Sequence, residues 1–318
     1  MRHIQRYWWL LVLALIALYP PTLGGMSPYR SGVLIFVGIY VILAVSLDLL
    51  MGLAGLISVG HAAFFAIGAY ASGILTAKYG TSPLFALLMG MLLSGGVAWA
   101  VGRPVLALKE YYLAMATLAL NEIIVTLIIG LQWLTGGASG LRDIPAFSLL
   151  GFPFDNPIHY YYVVWAIVFL VVLASLGVAR SPFGRTLIAI HSDETAAKTF
   201  GIDCARYKGR VYILSALYAS VAGSLFAHYM GFLAPDDFSV LTSINILVML
   251  FLGGIGTIYG PALGAIFLKL LPEFTYQFQD YELLLNGIIL IVVLVFMPKG
   301  LFGILMSLKD RLIGTRAT

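Results

Sequence analysis

Stretches of apolar residues close to the roughly 20 that carry a helix across a bilayer follow one another along almost the whole chain. They fall at 8–23, 31–50, 59–77, 83–101, 111–131, 161–179, 211–231 and 283–297. Two shorter stretches, 243–256 and 261–271, meet around "GTIYG", and each is too short to cross comfortably alone. With 61% hydrophobic and only 10% charged residues, the chain has too few polar side chains to cover a soluble surface. The expectation is an all-α, polytopic membrane helix bundle forming a single domain over 1–318.

Charge sets the orientation. If both short stretches cross, there are about ten spans and the termini share a side. Of the 18 Lys and Arg, fourteen then lie on that side, at positions 2, 6, 103, 109, 180, 185, 198, 206, 208, 210, 299, 309, 311 and 316. Only Arg30, Lys78, Arg142 and Lys269 lie on the other. Cations gather on the cytoplasmic side of membrane proteins, so both termini are expected there. The basic pI of 9.0 then reflects orientation toward lipid and not nucleic acid. Arg2 and Arg6 before the first apolar run resemble the start of a signal peptide, but no small-x-small cleavage site follows, and that run is read as a span. The single Cys204 excludes a disulfide within the chain and a cysteine-based zinc cluster.

Two hydrophilic stretches stand out. The outer one, 132–160, is rich in Gly, Pro and aromatics, which suits an ordered, partly membrane-abutting loop. The cytoplasmic one, 180–210, holds six of the fourteen inner cations. Within it, Ser192 or Asp193 can cap a short helix, Glu194 suits the positive end of its dipole, and Gly201 suits a left-handed exit. Two turns of helix are unstable alone, so this stub needs a surface. Either lipid headgroups anchor the basic loop, or small Ala196 and Ala197 let a soluble cytoplasmic partner approach.

Two Gly-interrupted apolar segments, "GLAGLISVGHAAFFAIGA" and "LGGIGTIYGPALGAIFL", occupy matching places in the two halves. Paired broken segments point to a substrate path. Ser58, Ala62 and Ala66 in the first, and Gly256, Gly260 and Gly264 in the second, recur every four residues, predicting a close-packing stripe on one helix face. Pro261 suits the first turn of a new helix.

Ionisable groups inside spans are few. Glu122, beside Asn121 near mid-span, is expected to face the bundle interior or a polar cavity, either contacting a substrate ammonium or serving packing. Asp48 lies near the cytoplasmic end of its span, within reach of water. His61 lies at the same depth, and a hydrogen bond between the two would lower the cost of burying both. That makes His61 a structural lock ahead of a substrate ligand. His228 and Asn245 are expected to flank the outer mouth, and Asp236, Asp237, Glu273, Asp280 and Glu282 to make the outer face locally acidic.

The segments "GLISVGHAAFFAIGAYASG", "YYLAMATLAL", "LTGGASGL", "GRTLIAIHSDETAAKTFGID" and "LGGIGTIYGPALGA" occur in the order and spacing of the permeases of branched-chain amino-acid ABC importers, M-type subunit. The resemblance runs from about residue 40 to 301. Its cytoplasmic segment is similar to the EAA-type loop of such permeases, with Thr195 standing between the acidic pair and the two alanines. The resemblance implies a bacterial or archaeal cytoplasmic-membrane subunit, paired with a second, homologous permease. Two ATPase subunits carrying ATP and Mg would dock on the loop at Asp193, Glu194, Ala196, Ala197 and Gly201, and an extracytoplasmic binding protein would deliver leucine, isoleucine or valine. His61, Asn121, Glu122 and Asn245 become candidates for the pathway. The chain carries no GxxxxGK[ST], HExxH or GxSxG motif, so it is expected to be a transport subunit, not an enzyme, with no cofactor or metal of its own. The alternatives are a permease of the same superfamily for a sugar, urea or an amide, and an ion-coupled secondary transporter, which would need no docking loop.

Overall fold

The computed structural model describes residues 28–274 apart from 109, 150 and 151, together with 284, 287, 288, 291, 300, 301 and 303. The expected spans at 8–23 and, save for four helical positions, 283–297 lie outside the described residues, as do both termini.

Eleven α-helices are formed among the described residues. They are α1 (Pro28–Asp48), continued by a π-helical turn at Leu49–Leu53, α2 (His61–Tyr79), α3 (Pro83–Leu106), α4 (Glu110–Gly130) and α5 (Gln132–Thr135). There follow α6 (Pro157–Arg180), α7 (Pro182–Ser192), α8 (Glu194–Thr199), α9 (Cys204–Met230), α10 (Val240–Gly253) and α11 (Tyr259–Phe274). The one sheet among the described residues is an antiparallel pair of two-residue strands in the loop before α6, β1 (Ser148–Leu149) and β2 (Phe152–Pro153).

The same start signal recurs. Ser82 before Pro83, Asn156 before Pro157 and Ser181 before Pro182 each cap α3, α6 and α7, the side-chain oxygen accepting from an amide in the first turn. Proline at the first helical position gives up an amide that has no partner there in any case.

Five segments are long and apolar enough to cross a membrane: Arg30–Leu53, Pro83–Leu106, Tyr111–Gly130, Pro157–Arg180 and Cys204–Met230. They differ in burial. The first and last have 78% of their apolar window enclosed within the chain, the other three only 22–28%. α1 and α9 are therefore central, while α3, α4 and α6 present leucine-rich faces outward. α2 is less apolar, and it needs no lipid-facing surface because thirteen of its residues are buried against its neighbours.

Contact between α2 and α9 is backbone to backbone. A Cβ on Gly223 would collide with the Phe65 carbonyl and stand 2.7 Å from the Ala69 nitrogen, while one on Gly68 would meet Ser220 in the same way. Phe65, Phe226, Phe238 and Tyr70 close around this crossing, with Phe65 and Phe226 ring centres 5.3 Å apart. The predicted stripe is corrected at its first members. Ser58 precedes α2 and Gly256 precedes α11, so neither shares a helix face with the residues after it, although Ala62 and Ala66 are fully buried.

Candidate functional site

The two broken segments meet. α1 loosens into its π turn at Leu49–Leu53, the chain crosses 55–60 without regular structure, and α2 starts at His61. α10 ends at Gly253, and α11 restarts at Tyr259 with Pro261 in its first turn. At the junction the Gly256 amide donates to Asp48 Oδ1 at 2.7 Å. Gly256 has φ of +77°, and a Cβ on Gly52 would stand 2.7 Å from its nitrogen. Both positions therefore need glycine, one for its backbone and one for the closeness of approach.

This geometry corrects the pairing expected of His61. Its Nε2 lies 2.6 Å from Ser46 Oγ, whose own proton is committed to the Leu43 carbonyl at 2.7 Å. With that proton used, the ring donates and Ser46 accepts. Asp48 neither bonds His61 nor reaches water, being fully buried. The start of α2 is held from the other side too, since the Ala62 amide donates to Ser243 Oγ at 2.9 Å and the Val59 amide to Thr117 Oγ1 at 3.0 Å.

His228 belongs to a separate network further along α2. Its Nε2 is 2.9 Å from Ser72 Oγ, which accepts from Ser224 Oγ, and its Nδ1 is 2.8 Å from the Pro145 carbonyl. The loop between α5 and α6 is thereby strapped over the end of α9, together with the Leu141–Leu233 bridge. Asn245 is not its neighbour across the mouth. Ser243 sits against Ala62 while His228 sits against Ser72, ten residues further along α2, or about 15 Å of helix. Half-buried Asn245, two residues from Ser243, therefore lies toward the end of α2 that carries His61.

Asn121 and Glu122 part company. Asn121 is buried and donates to the Phe238 carbonyl at 3.1 Å. Glu122 is exposed, on a face of α4 that also exposes Met115, Leu118 and Ile123. Within this chain it does not face the bundle interior, contrary to expectation. A carboxylate on an apolar, membrane-length helix is costly against lipid, so this face calls for water or protein beside it.

Lys269, expected at the outer end of its span, instead stacks over the ring of Tyr40 midway along α1, its Nζ 3.7 Å from the centroid. Among the described residues no group of three or more His, Cys, Asp and Glu is placed to hold a metal ion.

The basic loop 180–210 forms two helices, α7 and α8, where one is expected from the sequence. The additional helix is α7, although Ser181-Pro182 announces it as plainly as Ser82-Pro83 announces α3. α8 starts as predicted: Asp193 Oδ1 accepts from the Thr195 and Ala196 amides at 2.8 and 2.9 Å. Gly201 takes the left-handed exit at φ +78°. Glu194 pairs with Lys208 at 2.5 Å and Lys198 at 3.0 Å. The hydrogen bond from Lys208 is the main reason its carboxyl is held below the ordinary carboxylate range. Ala197 is not on an open face, since it packs inward with Ile190 and Cys204. Phe200, 85% exposed, and Ile188 on α7 remain exposed instead.

The family of permease components of branched-chain amino acid transport systems matches residues 29–294. The high-affinity branched-chain amino acid transport system permease protein LivM of Salmonella typhimurium is 32% identical over 83% of this chain and 67% of its own length. The probable LivM of Methanocaldococcus jannaschii is 26% identical over 85% and 92%, and LivH of Salmonella typhimurium 25% over 83% and 91%. No solved structure matches the chain. With a multi-pass helical body, two broken segments in contact and a match over most of its length, this chain belongs to the permease components of branched-chain amino acid ABC transport systems, inner-membrane subunits that are not themselves catalytic.

Proposed function

We propose that the chain supplies one half of a translocation pathway for leucine, isoleucine and valine, driven by ATP hydrolysis on two ATPase subunits that dock on α7 and α8. The observation that carries this reading is Phe200. A side chain that is 85% exposed, on a helix pair otherwise anchored inward by Ala197, Ile190 and Cys204, is an anchor for a partner's pocket. ATP and Mg belong to that partner. The contact residues are then Asp193 and Glu194, which set α8, with Ala196 and Gly201 shaping its surface, and Ala197 acting from behind.

The exposed face of α4 supports the second half of the reading. Glu122 there lies against a homologous, LivH-type permease or the water-filled seam between the two, within reach of a substrate ammonium. His61 and Asn121 act one layer back, holding α2 and the turn before α10, and Asn245 lies toward the inner end of the same seam. Ala62, Ala66, Gly260 and Gly264 serve close packing. We place the whole chain in one transmembrane domain of about ten spans with both termini cytoplasmic. The loop 132–160 then faces the extracytoplasmic binding protein.

The test is co-expression with the two ATPase subunits and the second permease. Phe200→Ser is expected to weaken ATPase retention at least about tenfold, the scale of a buried aromatic anchor, with the permease pair intact. Full retention, or leucine uptake that survives deletion of Asp193–Gly201, would overturn the reading.

A further inference from the structure

The π turn at Leu49–Leu53 stands between two contacts that tie separate parts of the chain together. On its far side, Gly55 lies beneath the imidazole of His191, the penultimate residue of α7. A Cβ on Gly55 would come within 2.5 Å of the ring, and its φ of +68° holds the backbone in a turn that glycine favours. On its near side, Asp48 Oδ1 grips the Gly256 amide between α10 and α11. Gly52, inside the π turn, touches that same residue. Gly300, at φ +65°, abuts Gly254, so the break between α10 and α11 has backbone packed against it at both Gly254 and Gly256.

A π turn carries one residue more than α-helical geometry needs. Passing that residue along, or returning to α-helix, shifts the register of the chain beyond it. Leu56 N donates to Leu50 O and Gly55 N to Met51 O, so the widened turn hands straight over to the irregular segment that His191 covers. Rigid packing on either side makes the turn the compliant point.

We propose that Asp48 and the π turn form the link by which movement of α7 and α8 reaches the seam between the two broken segments, with Asp48 as a positioning residue. His191 pushes or releases Gly55, the turn shifts register, and the Asp48 carboxylate carries the Gly256 amide, and with it the start of α11, along. The inference rests on the coupling role proposed above for α7 and α8. It adds a residue that touches neither the ATPase nor the substrate.

The test uses the complete complex in proteoliposomes with its binding protein, reading leucine uptake and ATP hydrolysis together. Asp48→Leu removes the acceptor and is expected to lower leucine carried per ATP about tenfold, inside the usual range of coupling between sites, with the complex still assembled. Asp48→Asn keeps an Oδ1 acceptor and should stay close to the unsubstituted complex. His191→Ala, at a surface position, should uncouple in the same direction and serves if Asp48→Leu fails to assemble. An unchanged ratio in both variants overturns the inference, and so does a parallel fall of uptake and hydrolysis, which would mark a merely structural role. A chain that never retains the ATPase overturns the coupling reading itself and this inference with it, and that outcome is seen before any variant is made.

Discussion

Gly223→Ala is the sharpest perturbation of the fold. The new methyl would collide with the Phe65 carbonyl and stand 2.7 Å from the Ala69 nitrogen, where ordinary contact begins at 3.4 Å. Both obstacles are backbone, so no side chain can swing aside, and α2 and α9 must separate by about 0.7 Å or more. Separation is resisted on both sides of the crossing, by the Phe65, Phe226 and Phe238 rings and by the Ser72–His228 and Ser72–Ser224 hydrogen bonds. Overpacking of this kind costs typically 1–3 kcal/mol, and the upper end, about 3 kcal/mol, is expected. At roughly 2–4 °C per kcal/mol for a body of this size, the melting temperature of the detergent-solubilised chain should fall by about 6–12 °C. Gly177→Ala in α6 is the control, because a Cβ there meets nothing within 4 Å. Removing that glycine's backbone freedom should leave stability equal or raise it by roughly 0.5–1 kcal/mol. If both variants melt alike, the close approach of α2 to α9 is wrong.

Two further outcomes rest on single contacts. Tyr40→Phe should keep Lys269 seated on an aromatic face, whereas Tyr40→Leu should cost about 1–2 kcal/mol of thermal stability; equal effects would refute the stacking. Glu194 offers a pH dependence. Because its carboxyl is held below its ordinary value of 4.5, chiefly by the Lys208 hydrogen bond, its contribution is fully present above that value and is lost as pH falls through the depressed one. Its side chain is 40% exposed, so screening limits the contribution to under about 1 kcal/mol. Hydrogen exchange in α8 should be faster in Glu194→Gln than in the parent at pH 7, and the difference should shrink as pH is lowered below the ordinary carboxylate value; a difference unchanged by acid would refute the pairing.

The long apolar runs, the caps of α3 and α6, and the start and exit of α8 are all legible in the sequence, because each depends on residues within a few positions of one another. So are the two breaks in the apolar segments, read from their glycines, though not that they touch. Long-range contacts are not. His61 and Asp48 are expected at one depth, but equal depth does not make contact; Ser46 and the Gly256 amide satisfy them instead. A serine inside an apolar run gives no sign of which partner it serves. Glu122 is expected inward because a lone charge in a span should avoid lipid, an argument sound for an assembly but silent about which chain provides the shelter. Period-four spacing suggests a helical stripe at Ser58 and Gly256, yet both sit in breaks, where spacing along the sequence no longer maps to a face.

The hydrogen bonds that complete the centre of the molecule have a consequence for its biogenesis. Ser72 waits for His228, 156 residues later; Ala62 waits for Ser243, 181 later; Asp48 waits for Gly256, 208 later. A ribosome delivering this chain from its amino end places α1 and α2 in the membrane long before their partners exist. During that interval the polar groups of the first helices depend on the insertion machinery or on water. The structure closes only when α9, α10 and α11 arrive, so synthesis halted after α6 would leave the earliest helices with their interior side chains unmatched and open to quality-control proteolysis.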